Sequence, residues 1–234
     1  MKYGMVIDQQ LCVGCAACTI ACKAENNTPE NVNWCDKITR TRGTFPNVSY
    51  EYISTMCNHC ENAPCVTACP TKAMYKDENG LTLHDPKKCI GCKACVVNCP
   101  YGVISINWEA PHQNWAQDNP VVPGGTFSPA SMLRASGGEG TPHGNPERAT
   151  TYPVVRAAGT VEKCNFCDHR LKRGLEPACV MACPSRARIV GDLDDPKSEI
   201  NELIARHNGK GLREELGTKP RVFYIRTYAP QRLA

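Results

Sequence analysis

The chain has 234 residues, of which 41% are hydrophobic, and a formal net charge of +4 from 27 Lys and Arg against 23 Asp and Glu. The basic residues form no stripe with interleaved aromatic side chains, which argues against a nucleic-acid-binding protein. No stretch approaches the roughly 18 apolar residues of a membrane span, and the first residues lack the apolar segment of a signal peptide. We therefore expect a chain that is soluble by itself and meets a membrane only through a partner.

Short strands separated by loops are predicted along most of the chain. These strands are residues 3–8, 50–56, 73–76, 81–84, 103–107, 187–190 and 221–228. The sequence Asp77-Glu78-Asn79-Gly80 between the third and the fourth is typical of a β-hairpin turn. Residues 196–208 predict a helix, because Ile200, Leu203 and Ile204 share one helical face and a glycine follows as a stop signal.

Residues 108–159 differ from the rest of the chain because they contain no cysteine and are rich in Pro, Gly, Ser, Thr and Asn. Such a segment is too long for a simple connection in a compact domain. It is either a disordered linker or an extended arm that lies against a partner. Trp108, Trp115, Phe127 and Tyr152 favour the arm, because aromatic side chains are enriched at protein interfaces.

Sixteen of the 17 cysteines fall into four groups, each ending in Cys-x₃-Cys. In chain order these are group one (Cys12, Cys15, Cys18, Cys22), group two (Cys57, Cys60, Cys65, Cys69), group three (Cys89, Cys92, Cys95, Cys99) and group four (Cys164, Cys167, Cys179, Cys183). Group three reads C-x₂-C-x₂-C-x₃-C-P, the ligand pattern of bacterial two-cluster ferredoxins. Group one repeats it, with Lys23 in place of the proline. Sixteen thiolates suffice for four [4Fe–4S] clusters, so the pattern predicts an electron-transfer protein.

The spacing also predicts which groups share clusters. Three cysteines at i, i+3 and i+6 can wrap one face of a cubane, whereas in two-cluster ferredoxins the fourth cysteine ligates the other cluster. Groups two and three are neighbours in the sequence, which leaves groups one and four to pair across the chain. The predicted ligand sets are set A (Cys12, Cys15, Cys18, Cys183), set B (Cys22, Cys164, Cys167, Cys179), set C (Cys57, Cys60, Cys65, Cys99) and set D (Cys69, Cys89, Cys92, Cys95). We expect short helices after the cysteine loops to carry the fourth cysteines.

Internal similarity supports this pairing. The segment that ends in CVGCAAC near the start is similar to the one that ends in CIGCKAC at residue 95, and residues 56–74 are similar to residues 163–188. We therefore predict an α+β fold of two ferredoxin-like bis-[4Fe–4S] units, one inserted in the other. The predicted domains are the outer unit (1–48 and 160–195), the inserted unit (49–107), the long irregular segment (108–159) and a C-terminal helix and strand (196–234).

Other uses of so many cysteines fit less well. Disulfide scaffolds are usual in short secreted chains with an even cysteine count, and they give no reason for a repeated C-x₂-C-x₂-C-x₃-C. Structural zinc sites typically use two C-x₂-C pairs, which could describe group four alone. A [3Fe–4S] cluster would require a missing ligand, and no group lacks one.

Several residues near the groups remain open to two interpretations. Cys35, outside all four groups, is either a small buried thiol or a redox-active or accessory ligand. His59 and His169 lie beside ligands and have either a hydrogen-bonded packing role or a proton-coupled one. The basic residues beside the groups are either solvated surface side chains or charges that offset those of the clusters; they are Lys23, Lys72, Lys87, Lys88, Lys93, Lys163, Arg170 and Arg186.

The order and wording of the four groups resemble the iron–sulfur subunits of the dimethyl-sulfoxide-reductase superfamily of molybdopterin enzymes. The segments that carry the resemblance are CVGCAACTIACKAENN, CNHCENAPCVTACP, CIGCKACVVNCPYGVI and KCNFCDHRLKRGLEPACVMACPSRARIVGDLDDP. Within the family, GTFPNVSYEYISTMCNHC, NPERATTYPVVR and PRVFYIRTY are most similar to the small subunits of respiratory arsenate reductases. Equivalent subunits serve polysulfide, thiosulfate and tetrathionate reductases and arsenite-oxidising enzymes.

The resemblance implies a non-catalytic subunit with four [4Fe–4S] clusters and a large molybdopterin catalytic partner. It implies that set A lies nearest that partner, followed by set B, and that set D lies at the distal end, where a quinol-oxidising membrane subunit or a c-type cytochrome donates electrons. It also implies a periplasmic location, reached by co-export with a partner that bears a twin-arginine signal; a cytoplasmic location is the alternative. A free polyferredoxin and a zinc-binding module are the competing functions, and the long segment argues against a freely diffusing carrier.

Overall fold

The computed structural model describes residues 1–109, 118–120, 122–135, 137 and 156–227. The strands in these residues are β1 (Tyr3–Asp8), β2 (Cys35–Thr44), β3 (Asn47–Met56), β4 (Met74–Lys76), β5 (Thr82–His84), β6 (Ser105–Ile106), β7 (Val161–Glu162), β8 (Arg188–Asp192), β9 (Lys210–Gly211) and β10 (Val222–Ile225). The helices are α1 (Ala17–Asn26), α2 (Pro64–Thr67), α3 (Ala94–Asn98), α4 (Pro129–Ala135), α5 (Asp168–Leu171), α6 (Ala178–Met181) and α7 (Glu199–His207).

A four-stranded sheet in the order β8-β1-β10-β9 joins distant parts of the chain. Strand β1 pairs antiparallel with β8 and parallel with β10, so that Met5 lies between Val190 and Val222. The burial of β1 on both faces agrees with its nearly continuous apolar sequence, because the central strand of a covered sheet has no solvent face. The sheet therefore places the first cysteine group beside the segment that follows the fourth.

The remaining strands form three two-stranded ribbons, β2–β3, β4–β5 and β6–β7. The hairpin predicted around Asp77 is confirmed, and the Asp77 side chain accepts a hydrogen bond from the backbone N–H of Leu81 at 2.6 Å. Sequence analysis predicted only the last part of β3 and did not predict β2. The two strands form a ten-residue ladder whose distal half is largely exposed.

The internal similarity in the sequence is repeated in the backbone. Gly14 and Gly91 both have φ +68°, and a Cβ at these positions would lie 2.3 Å from a Tyr52 ring carbon and 2.2 Å from the Gly159 carbonyl oxygen. Left-handed φ and such close approach favour glycine, and the two C-x-G-C loops have the same left-handed turn at this glycine. The second pair of similar segments agrees as well. Lys72, which follows group two, has φ 54°, and Arg186, at the equivalent position after group four, has φ 52°.

Two of the three hydrophobic cores in the described residues contain cysteines. The first packs Met5, Val222 and Phe166 against cysteines of three groups, and the second packs Met74 and Ile104 against groups two and three. The third core contains no cysteine and packs Ile200 of α7 against the sheet residues Val6 and Ile225. Much of the apolar interior of the described chain is therefore built around thiols.

The C-terminal elements agree with prediction apart from their ends. Helix α7 begins at Glu199 instead of residue 196 and ends at His207, because Asn208 adopts a left-handed conformation with φ 50°. Acidic residues in its first turn and basic residues in its last turn complement the helix dipole. No helix in the described residues is both long and apolar enough to cross a bilayer.

The sequence analysis expected segment 108–159 to be irregular throughout. Its described part contains the helix α4, so this expectation is wrong in that part. Trp108 and Phe127 are 70% and 77% exposed. Trp115 and Tyr152 lie outside the described residues.

Candidate iron–sulfur centres

The four cysteines of set A line one cavity with about 420 Å³ of empty space. Cys12 and Cys15 lie in the loop after β1, and Cys18 lies in the first turn of α1. Cys183 comes from the segment between α6 and β8, which the β1–β8 pairing brings alongside. The fold therefore joins residues that are far apart in the sequence around one cavity.

Sets C and D each line a smaller cavity. Cys57, Cys60, Cys65 and Cys99 surround about 320 Å³ of empty space. The four cysteines of set D, which are Cys69, Cys89, Cys92 and Cys95, surround about 280 Å³. In both cases three cysteines of one group line the cavity together with the fourth cysteine of the other.

The cysteines of set B lie together in the interior. Cys22, Cys164, Cys167 and Cys179 are all buried. Cys164 lies close enough to the other three for their charges to raise its pKa further, although burial is the largest cause of the increase.

Interactions between sets give their order in space. Cys18 of set A interacts electrostatically with Cys179 of set B, and Cys57 of set C does so with Cys164 of set B. Sets C and D share the second hydrophobic core. The sets therefore lie in the order A, B, C, D. Cys15 in set A and Cys92 in set D are exposed.

The helices after the cysteine loops carry the fourth cysteine less often than expected. Cys22 lies within α1, as predicted, but Cys99 only caps the end of α3. Cys69 and Cys183 follow α2 and α6, where backbone N–H groups of Met74 and Ala187 lie 3.5 Å and 3.3 Å from their sulfurs.

Burial raises the pKa of several of these thiols, among them Cys22, Cys60 and Cys95. It raises the pKa of Cys65 and of Cys167 to about 12 each. Cys18 differs, because a hydrogen bond from Cys35 lowers its pKa to about 5, with a further contribution from Arg188. Since a metal binds the thiolate, iron must displace protons from the buried sets.

This donor chemistry fits iron–sulfur clusters. Thiolates are the ligands that [4Fe–4S] clusters require, and sets A, C and D each present four around a cavity. In the described residues, no three His, Cys, Asp or Glu side chains are grouped to hold a single metal ion. The cysteines of sets A, C and D surround a cavity, which is the arrangement that a cluster of several iron atoms requires.

The structure shows where the residues with two interpretations lie. Cys35 is 2% exposed and hydrogen-bonds to Cys18, so it is buried and also contacts a set A cysteine. His59 is fully buried, accepts a hydrogen bond from the Thr82 N–H at 3.1 Å, and burial lowers its pKa well below the usual range. His169 lies 2.7 Å from a carboxylate oxygen of Glu25. Both histidines therefore have hydrogen-bonded packing positions.

Lys163 is not the solvated surface side chain that one interpretation expected. It is fully buried, and its ammonium donates to the carbonyl oxygens of Thr82 and, at 2.8 Å, Cys164. Its charge acts on Cys65 of set C. Lys87 and Lys88, in contrast, are exposed as that interpretation expected.

Two groups of buried side chains were missed by sequence analysis. Arg188 lies 3.6 Å from the sulfur of Cys179 and lines the cavity of set A. Arg156 forms a buried ion pair with Glu162 at 3.3 Å, and Glu162 also accepts a hydrogen bond from the Trp34 indole at 2.9 Å. Charged residues next to turns and strand ends are usually exposed at the surface. Nothing in the local sequence therefore indicates that Arg188, Arg156 and Glu162 are buried.

Comparison with known proteins agrees with these features. A family model described as a 4Fe-4S dicluster domain matches residues 48–115 and 147–193, which contain groups two, three and four. The arsenate respiratory reductase iron-sulfur subunit ArrB of Shewanella sp. (strain ANA-3) is 57% identical over 228 residues, covering 97% of each chain.

More distant relatives belong to other reductases. One component of the polysulfide reductase of Wolinella succinogenes is 35% identical over 96% of this chain and 94% of its own length. One component of the tetrathionate reductase of Salmonella typhimurium is 33% identical over 96% of this chain and 72% of its own length. The chain therefore belongs to the family of iron–sulfur subunits found in reductases of the dimethyl-sulfoxide-reductase superfamily.

Proposed function

We propose that this chain is the electron-transfer subunit of a respiratory arsenate reductase, linking a quinol- or cytochrome-linked donor to a molybdopterin catalytic subunit. The observation that carries this proposal is the row of four-cysteine sets running from one exposed end to the other. The 57% identity to the arsenate respiratory reductase subunit supports the choice of arsenate. The chain itself would bind no substrate.

Four [4Fe–4S] clusters are proposed, one for each set, with sets A to D as the ligands. Each cluster, when bound, supplies one-electron transfer without proton or atom transfer. The chain's own residues hold the thiolates in place and exclude water. The shared cavities support this assignment for sets A, C and D, and mutual burial supports it for set B.

The nested arrangement of two ferredoxin-like units is also a proposal. Repeated backbone angles at Gly14 and Gly91 support the duplication, and the sheet that joins β1 to β8 supports an outer unit made of residues 1–48 and 160–195. Strand pairing crosses the proposed boundary, because β7 of the outer unit pairs with β6 of the inserted unit and β2 pairs with β3.

Exposed apolar side chains at both ends of the row support partners there. Val13 and Ile20 beside set A are 60% and 65% exposed, and Ile90 and Val97 beside set D are 68% and 83% exposed. We propose that the catalytic subunit covers the set A end, and that a membrane quinol-oxidising subunit or a c-type cytochrome approaches the set D end. A periplasmic location, reached by co-export with the catalytic subunit, belongs to the same proposal.

The substrate is tested with the purified native complex that contains this chain. Oxidation of reduced viologen is measured in parallel with arsenate, polysulfide, thiosulfate and tetrathionate. We expect fast turnover with arsenate alone. Turnover with only a sulfur substrate would retain the electron-transfer role and replace arsenate by the second candidate, which the similarity to components of polysulfide and tetrathionate reductases supports.

The ligand assignment is tested by Cys92→Ser. Cys92 is exposed, so the substitution is expected to leave the fold intact and to alter or remove the EPR signal of one cluster. Cys35→Ser is the matched control, because Cys35 lies outside all four sets and its variant is expected to keep about 16 iron atoms per chain. Normal signals from all four clusters in Cys92→Ser would refute set D as assigned.

A further inference from the structure

A buried arginine lies between two of the cysteine sets. Arg188, the first residue of β8, is 3% exposed. Its Nη1 lies 3.6 Å from the sulfur of Cys179, which belongs to set B. Its Nη2 lies 3.0 Å from the sulfur of Cys35 and donates a hydrogen bond to the hydroxyl of Ser54. The same side chain lines the cavity of set A.

Cys35 and Ser54 extend this contact to a cysteine of set A. The Cys35 thiol donates a hydrogen bond to Cys18, and the Ser54 hydroxyl lies 3.8 Å from the Cys18 sulfur. One guanidinium therefore touches a set B cysteine directly and a set A cysteine through two side chains. Its charge lies close enough to both sets to act on each of them.

The charge of Arg188 has no carboxylate beside it in the described part of the chain. The ionisable groups that interact with it most strongly are Cys35, Cys179, Cys18 and Tyr224. An unpaired charge in a protein interior is costly, and arginine cannot lose its proton to avoid that cost. A [4Fe–4S]²⁺ core with four thiolates carries a net charge of about −2, so two such clusters would supply the counter-charge.

We propose that Arg188 is a positioning residue whose fixed positive charge raises the reduction potentials of the set A and set B clusters together. The inference rests on the proposed function, since it requires clusters in both sets. Reduction adds one electron to a cluster and breaks no bond. A positive charge nearby therefore stabilises the reduced form more than the oxidised form.

The test is an EPR-monitored redox titration of the purified complex with Arg188→Gln, Arg188→Lys or Lys163→Gln in this chain. Signals are assigned to sets through single ligand variants, as Cys92→Ser does for set D. Lys163→Gln is the matched control, because it removes a fully buried cation of the same sign from between sets B and C. Iron content is measured for every protein.

We expect Arg188→Gln to raise the oxidised-to-reduced ratio of the set A and set B clusters at least tenfold at fixed potential, about 59 mV for a one-electron couple. In Arg188→Gln, the ratios of the set C and set D clusters should not change. In Arg188→Lys, the ratios of the set A and set B clusters should stay within threefold of the wild type. Lys163→Gln should leave the ratio of the set A cluster unchanged. Loading of Arg188→Lys but not Arg188→Gln would also support a role for the charge. Three results would overturn the proposal. They are equal shifts in both Arg188 variants, unchanged potentials in Arg188→Gln, and failure of both Arg188 variants to load iron. Fewer than four clusters in the wild type would instead refute the proposed function.

Discussion

Removal of iron is expected to abolish the native tertiary structure of this chain. Cys22, Cys57, Cys164 and Cys179 are members of the largest hydrophobic core, so the groups that would hold iron also hold the core together. In small metal-binding domains the free energy of metal binding is folding free energy, so that removal of the metal denatures them. Typical domains have only about 5–15 kcal/mol of stability.

The measurement is near-UV circular dichroism and amide hydrogen exchange after anaerobic chelation under reducing conditions, followed by reconstitution with iron and sulfide. Loss of the near-UV signal and of exchange protection, with recovery on reconstitution, is the expected result. The cysteine-free core under α7 should lose protection last. An iron-free chain that kept its near-UV spectrum and one cooperative thermal transition would contradict this prediction.

Replacement of Arg156 by methionine is expected to cost about 3–5 kcal/mol of stability, because it leaves the Glu162 carboxylate buried without its cation. Both side chains are almost fully buried, at 4% and 0% exposure. Arg156 also stacks on the Trp34 ring at 4.5 Å and donates to the carbonyl of Asn26 at 2.7 Å. Since Asn26 is the last residue of α1, the loss would loosen the helix that carries Cys18 and Cys22.

This is measured as the temperature at which the visible absorbance of the clusters is lost, at one heating rate and without oxygen. For a chain of this size, 1 kcal/mol corresponds to roughly 2–4 °C, so a decrease on the order of 10 °C is expected. Arg134→Met is the matched control, because the ion pair of Arg134 with Asp118 is exposed at 66% and 74%, and such pairs add little. Equal decreases in the two variants would show that burial of the Arg156 pair has no special effect.

The close spacing of the cysteines along the sequence is what allowed the four sets to be predicted. Four iron atoms a few ångströms apart impose close spacing on the first three cysteines of groups one and three, and this constraint is visible in the sequence itself. The pairing of group one with group four followed by elimination, and the structure brings Cys183 to the cavity lined by Cys12. Strand β1 and the hairpin at residue 77 were predictable for a similar reason, since both depend on local residue patterns.

Features that depend on tertiary contact were not predictable in this way. Alternation along β8 places Arg188 and Val190 on one face, but no local rule states that this face meets cysteines from two other segments. The burial of Lys163 depends on the carbonyl oxygens of Thr82 and Cys164, one of them 81 residues away. Strand β2 was missed because its exposed half contains Thr, Arg and Gly, a composition that predicts a loop as readily as a strand.

The position of β1 in the sheet sets an order for synthesis of the protein. This strand spans residues 3–8, yet its two neighbours, β8 and β10, are made only later, at residues 188–192 and 222–225. The groups that form sets C and D, in contrast, lie within residues 57–99. Because segments fold as they emerge, the middle of the chain can receive iron before the cysteines of group four, which complete sets A and B, have been made. The thiols of group one must therefore be protected from oxidation until Cys183 and β8 have been made.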